Sequence, residues 1–235
     1  MILGETALFL DLDGTLAPIA ARPQDVGPDP RRKSLLERLA RGLDGRLAVI
    51  SGRSLEDVDR ILEACVPAVA AVHGLVLRKP DGQTWRAAPH PRLAEAVQDF
   101  RAFAARDPGL IVEEKGGLSV ALHFRQAAPL APAARACAQS LAERTGLALQ
   151  DGDMVAELRT PGACKGDSVR SFMALPAFAG ARPVFVGDDA TDEDGFQAAQ
   201  ALGGVGVSVG RARPTLARFR LENVETALAW LEASL

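Results

Sequence analysis

The sequence predicts an α/β protein with a doubly wound parallel sheet, interrupted by an inserted α+β module. Three observations carry this reading. Short runs of consecutive apolar residues at 7–10, 47–50, 69–72 and 183–186 fit strands buried on both faces, and the valine-rich 205–209 reads as a last strand. Segments of helical periodicity alternate with them. Between residues 76 and 160 the pattern changes to hairpins and helices, and then it reverts.

Residues 7–10 form the first apolar run, which ends in Asp11 and Asp13. An i, i+2 spacing points both carboxylates the same way from an extended chain. Gly14 permits a sharp exit and Thr15 brings a hydroxyl. Two acids at the end of a buried strand cost on the order of several kcal/mol unless compensated. The string therefore calls for a cation or a reaction, or else it is a solvated turn. After a proline-containing loop at 18–30, Leu35, Leu36, Leu39 and Leu43 mark one helical face. The second run, 47–50, ends in Ser51-Gly52-Arg53, and Ser54 with Asp57 gives a capping-box-like start to a helix carrying Val58, Ile61 and Leu62. The third run, 69–72, precedes His73-Gly74. This order is that of a Rossmann-like core.

In the inserted stretch, Pro80-Asp81-Gly82 signals a hairpin between 76–79 and 83–87. Leu93, Val97, Phe100 and Ala104 mark a helix, and residues 110–115 and 118–125 read as strands around Gly116-Gly117. Another helix runs through Leu130, Ala134, Cys137 and Leu141 to Gly146, and a hairpin crosses Asp151-Gly152. The core then resumes with a helix opening at Lys165-Gly166, the strand 183–186 with its acidic sequel Gly187 to Gly195, the strand 205–209 and a helix over 221–231. The expected domains are thus a core of residues 1–75 and 161–235 and an insertion of residues 76–160.

The chain's 235 residues are 48% apolar and 24% charged, enough for a substantial core. A net charge of −3 suggests no nucleic-acid partner, and no apolar run approaches the ~20 residues that span a bilayer. Residues 1–6 carry no Lys or Arg, so no signal peptide is expected. Three dispersed cysteines argue against a disulfide framework and fit a cytoplasmic protein. A monomer is expected.

In a parallel sheet the loops after residues 10, 50 and 186 lie along one edge, where ligands bind. That edge would gather Asp11, Asp13, Asp188, Asp189, Asp192 and Asp194. Like charges ~4 Å apart repel by about 4 kcal/mol at an effective dielectric of 20, so a cation is needed. All-oxygen ligands favour a hard ion, and few protein ligands completed by water favour Mg²⁺. The acids after 186 would equally suit a solvated helix N-terminus. Ser51, the neighbouring backbone N–H groups and Lys165 could hold phosphate oxygens; alone, they also fit an ordinary turn and a surface lysine.

Asp11-Leu12-Asp13-Gly14-Thr15, Ser51-Gly52-Arg53, Lys165 and Gly187-Asp188-Asp189 resemble, in order, the four motifs of the haloacid-dehalogenase-like phosphohydrolases. Longer strings resemble the trehalose-6-phosphate phosphatases: Ala71-Val72-His73-Gly74, Glu113-Glu114-Lys115-Gly116, Ala121-Leu122-His123-Phe124-Arg125, Glu157-Leu158-Arg159 and the acidic stretch from Gly187 to Gly195. The resemblance covers essentially the whole chain. Thr160 stands where the family often has Pro, Phe124 where Tyr is common, and Cys164 precedes the lysine.

The resemblance implies a Mg²⁺-dependent phosphatase of trehalose biosynthesis, with residues 76–160 as a specificity cap on two linkers that closes over substrate. Asp11 is implied as nucleophile and Asp13 as acid and base. Asp11, the Asp13 carbonyl and Asp188 are implied to hold Mg²⁺, Ser51 and Lys165 to stabilise phosphate, and Asp189 and Asp192 to support the metal loop. The substrate contacts expected are Gly52, Arg53, His73, Glu113, Lys115, His123, Arg125 and Glu157, although His73 also fits the core edge. Strand alternation puts Ser119, Ala121, His123 and Arg125 on one face, and Val155, Glu157 and Arg159 on one face, which alone would also fit a solvated sheet. Alternatives are a related phosphatase of another sugar phosphate, such as sucrose phosphate, and a non-catalytic metal-binding regulatory protein.

Overall fold

The computed structural model describes residues 3–235. The chain opens with β1 (Thr6–Leu10), α1 (Pro30–Gly42), β2 (Leu47–Ile50), α2 (Leu55–Leu62) and β3 (Ala68–Ala71), followed by β4 (Val76–Arg78) and β5 (Thr84–Arg86). The insertion comprises α3 (Leu93–Ala104), β6 (Ile111–Lys115), β7 (Ser119–His123), α4 (Ala131–Thr145), β8 (Ala148–Gly152) and β9 (Val155–Arg159). The chain ends with α5 (Lys165–Met173), β10 (Arg182–Gly187), α6 (Glu193–Ala201), β11 (Val205–Val209), β12 (Phe219–Leu221) and α7 (Val224–Glu232). Among the described residues no helix is long and apolar enough to cross a membrane.

Eight strands form one sheet in the order β12-β11-β10-β1-β2-β3-β4-β5, parallel from β12 to β3. Every residue of β1, β2 and β3 is buried, which is why these strands read as continuous apolar runs. Phe9 of β1 stacks with Phe172 of α5 and with Phe178 at centroid distances of 6.2 and 5.9 Å. Phe185 meets Phe196 of α6 edge-on at 5.6 Å. Burying each ring contributes roughly 1.5–3 kcal/mol, so these aromatics anchor α5 and α6 to one face. Leu8, Leu10 and Val49, of opposite parity, are equally buried. Helix starts follow the local sequence: Asp29 accepts the Arg32 N–H at α1, whose first residue is a proline, and Ser54 accepts the Asp57 N–H at α2.

The insertion carries a four-stranded antiparallel sheet in the order β6-β7-β9-β8. Val120, Leu122, Ala156 and Leu158 point from it into a core with Leu93, Phe100 and Phe103 of α3 and Ala134, Ala138 and Leu141 of α4. The opposite parity carries Glu113, Lys115, His123, Gln150, Glu157 and Arg159. The chain divides into two compact units, one up to Trp85 together with Ala163–Leu235, the other Arg86–Gly162.

Several elements depart from the sequence reading. The hairpin at 76–87, expected with the insertion, instead extends the large sheet: β4 pairs antiparallel with β3, Ala71 opposite Val76. The strand expected over 69–72 stops at Ala71, because Val72 and His73 take left-handed φ values of 48° and 56°. The helix expected over 221–231 begins later, as α7 at Val224: Leu221 closes β12, and the Asn223 side chain accepts the Thr226 N–H and caps the helix there.

Candidate active site

β1 lies between β10 and β2, so the strand order reverses beside it and a crevice opens at the strands' carboxyl ends. Leu10 is level with Val186, and the Asp11 N–H continues the ladder to the Val186 carbonyl at 2.9 Å. This register brings Asp11 beside the loop of Asp188, Asp189 and Asp192. Carboxylate oxygens of Asp11, Asp188 and Asp192 all lie within 4.8 Å of one another. Gly14 makes the approach possible: its φ is 79°, and a Cβ there would sit 2.1 Å from Asp188 Oδ2. Lys165, the first residue of α5, donates to Asp11 Oδ1 and to Asp192 Oδ1 at 2.7 Å each. Asp192 Oδ2 accepts the N–H groups of Asp188 and Asp189 at 2.9 and 3.0 Å, so both its oxygens organise the loop. Asp189 is likewise committed, accepting the Thr191 N–H and hydroxyl.

Burial works against the Lys165 charge, but Asp11 and Asp192 outweigh it and hold the ammonium well above its ordinary value. Burial, followed by the charges of Asp192 and Asp188, pushes Asp11 well above the usual carboxylate range against the pull of Lys165. Burial likewise pushes Asp188 up to about 8, helped by Asp192 and Asp189. Fully ionised, three carboxylates facing one ammonium would carry a double negative charge, and the upward shifts of Asp11 and Asp188 are the crevice's resistance to it. The Asp188 carboxylate has no hydrogen-bond donor among the described residues. This hard, all-oxygen, under-neutralised set fits a divalent cation.

Ser51 and Gly52 follow β2. Ser51 is buried; its N–H donates to the Ala70 carbonyl at 2.8 Å and its own carbonyl accepts the His73 N–H at 3.0 Å, which joins the loops after β2 and β3. The His73 ring packs against Gly52, placing this histidine at the buried edge of the crevice. Arg53 does not reach into open space. Its guanidinium forks onto Asp13.

The polar face of the inserted sheet gathers most of the residues expected there. Lys115 Nζ donates to Glu157 Oε2 at 2.6 Å and lies 4.0 Å from Glu113 Oε2. His123 Nε2 is 2.7 Å from Glu113 Oε2. Burial opposes ionisation of Glu113, yet the His123 bond and the Lys115 charge hold it below the usual carboxylate range. Arg125 stands apart from this group. β7 ends at His123, the chain turns at Phe124, and Arg125 begins a 3₁₀ turn in which it donates to Asp153.

Arg213 is a contributor that sequence reasoning missed. Its Nη2 donates to the Asp189 carbonyl at 2.6 Å and its Nε to the Asp188 carbonyl at 3.3 Å, bracing the acidic loop from a segment beyond β11. It belongs to no motif, and only the fold brings it near.

The family model described as trehalose-phosphatase matches residues 9–225. A probable trehalose-phosphate phosphatase of Sinorhizobium fredii is 37% identical over 218 residues, covering 90% of this chain and 80% of the relative. The trehalose-6-phosphate phosphatase of Escherichia coli is 37% identical over 228 residues, covering 96% and 85%. The solved structure of a trehalose-6-phosphate phosphatase related protein superposes with a TM-score of 0.80 at 28% identity, covering 96% of this chain and 95% of the other. The C-terminal domain of the Candida albicans trehalose-6-phosphate phosphatase shares the fold, with a TM-score of 0.87 at 20% identity, covering 98% and 92%. With the acidic crevice, its buried lysine and this breadth of similarity taken together, the chain belongs to the trehalose-phosphatase family of phosphoric monoester hydrolases.

Proposed function

We propose that the protein hydrolyses trehalose 6-phosphate to trehalose and phosphate through an aspartyl-phosphate, with Mg²⁺ as its divalent ion. The observation that carries this reading is the Asp11–Lys165 pair at the carboxyl end of β1, set in a carboxylate cluster able to hold a divalent ion. In this scheme Asp11 attacks phosphorus, the phosphorus–oxygen bond to the sugar breaks, and the electron pair leaves with the sugar oxygen. Asp13 supplies the proton to that oxygen. It then removes a proton from the water that cleaves the aspartyl-phosphate, regenerating Asp11 and releasing phosphate. Ser51 and Lys165 donate to the equatorial phosphoryl oxygens, where charge gathers in the transition state. The Asp11 carboxylate, the Asp13 carbonyl and the Asp188 carboxylate would hold Mg²⁺, while Asp192 and Asp189 keep their loop in shape. When bound, Mg²⁺ neutralises the anions that must meet.

We assign sugar recognition to Glu113, Lys115, His123 and Glu157. Carboxylates accept bonds from sugar hydroxyls and the ammonium donates to them. A face of this kind discriminates strongly, because its own buried polar groups go unpaired when a substrate lacks the matching hydroxyls. The test is phosphate release over a panel of sugar phosphates, with and without a chelator. Trehalose 6-phosphate is expected to be preferred and the chelator to stop turnover. Preference for another sugar phosphate would overturn the assignment of substrate, and activity insensitive to chelation would overturn that of the metal.

A further inference from the structure

Every guanidinium nitrogen of Arg53 is engaged. Its Nε donates to Asp13 Oδ2 at 2.6 Å, its Nη2 to Asp13 Oδ1 at 2.7 Å and its Nη1 to the Pro23 carbonyl at 3.0 Å. Its backbone is held too: the Arg53 N–H donates to Ser51 Oγ at 3.2 Å, and its carbonyl accepts the Val72 N–H at 2.9 Å. One residue thus ties together the loops after β1, β2 and β3 and the turn at Pro23. The two partners differ in exposure. The Arg53 side chain is 8% exposed, while that of Asp13 is 34% exposed. The guanidinium is the buried member of the pair, and the carboxylate is the one open to the crevice.

We propose that Arg53 is a positioning residue that acts on the reaction through Asp13 rather than a contact to the sugar. This rests on the catalytic roles proposed for Asp11 and Asp13. A bidentate fork fixes the plane and direction of a carboxylate as well as its place, which a lysine cannot do. Asp13 has to serve two partners in one cycle, the departing sugar oxygen and the incoming water. Between these encounters both its oxygens are held by Arg53. The fork returns the carboxylate to one starting position and prevents it from joining the neighbouring acids Asp11 and Asp188. Arg53 itself has few donors left for a substrate hydroxyl.

The test is the kinetics of R53A and R53K on trehalose 6-phosphate and on p-nitrophenyl phosphate. With trehalose 6-phosphate, R53A is expected to lower kcat by about 100-fold, within the range that proton transfer contributes, and to leave KM within about 3-fold. R53K, which keeps the charge but not the fork, is expected to fall between wild type and R53A. Nitrophenolate leaves without needing a proton, so kcat/KM for the aryl substrate is expected to fall far less than for the sugar phosphate. If R53A does not fold, R53K carries the same comparison. A raised KM at unchanged kcat would make Arg53 a substrate contact and overturn the proposal. Equal losses on both substrates would reduce Arg53 to a structural staple, and wild-type kinetics in R53K would show that the fork is dispensable. Failure of the wild-type enzyme to turn over trehalose 6-phosphate would instead sink the functional reading on which this inference stands.

Discussion

Lys165 touches Asp11 and Asp192 with almost no access to water: the three side chains are 4%, 6% and 0% exposed. Removing one member of a buried ion cluster leaves the others uncompensated, at a cost of about 3–5 kcal/mol. Lys165→Ala is therefore expected to lower unfolding free energy by about that amount, measured by denaturant titration, and to abolish turnover. A loss below about 1 kcal/mol would mean the carboxylates are neutralised by other means. Asp188 gives a pH prediction. In the folded, metal-free chain it keeps its proton up to about 8, against an ordinary value of 3.8. Between those values the folded state binds more protons than the unfolded one, so the Asp188 contribution to stability is present at low pH and lost as pH rises through this window. Mg²⁺ requires the ionised carboxylate, so it is expected to raise Tm more at about pH 8 than at about pH 5. Equal stabilisation at both would contradict the assignment of Asp188. At this scale the sequence revealed which residues carry charge. Two acids spaced i, i+2 after a buried run, and a lysine opening a helix, were visible as such. Their partners were not: the fork between Arg53 and Asp13 and the brace from Arg213 join residues 40 and 24 or more positions apart, and nothing in a linear pattern encodes such a pairing.

At the scale of elements, buried parallel strands were readable because continuous apolar runs have no other comfortable place. Short edge strands were less so. β5 is exposed throughout and was announced only by the turn at Pro80-Asp81-Gly82, whereas β12, with two exposed residues out of three, has neither an apolar run nor a turn to mark it. The turn after β1 is specified by Gly14, whose position leaves room for the Asp188 carboxylate. Gly14→Ala adds a strained φ and a clash with Asp188, and is expected to weaken Mg²⁺ binding by about 10-fold or more, read by calorimetry. Unchanged affinity would show that Asp188 does not hold the ion. Thr160, in a position where the resemblance favours proline, uses what proline lacks: its N–H donates to the Leu118 carbonyl at 2.8 Å, and its hydroxyl accepts the His90 N–H at 3.1 Å. Arg125 shows the limit of counting alternation past a strand's end, since the face it was expected to share stops at His123.

On the scale of the whole molecule, the chain separates into two compact units. Under the proposed mechanism the larger unit carries the phosphoryl chemistry, and the inserted sheet carries sugar recognition. This division predicts separable defects. Glu113→Ala and Glu157→Ala are each expected to lower kcat/KM for trehalose 6-phosphate by about 100-fold and to affect p-nitrophenyl phosphate much less. Equal losses on both substrates would place these residues in the chemistry or in the fold. A covalent Asp11 intermediate is the central claim, and rapid acid quench of the enzyme turning over trehalose 6-phosphate labelled with ³²P tests it most directly. The expected result is label on the peptide containing Asp11 that chases into inorganic phosphate, and neither label nor turnover in a folded Asp11→Asn variant. Phosphate release without any protein-bound label at the earliest times, or ordinary turnover by that variant, would contradict it.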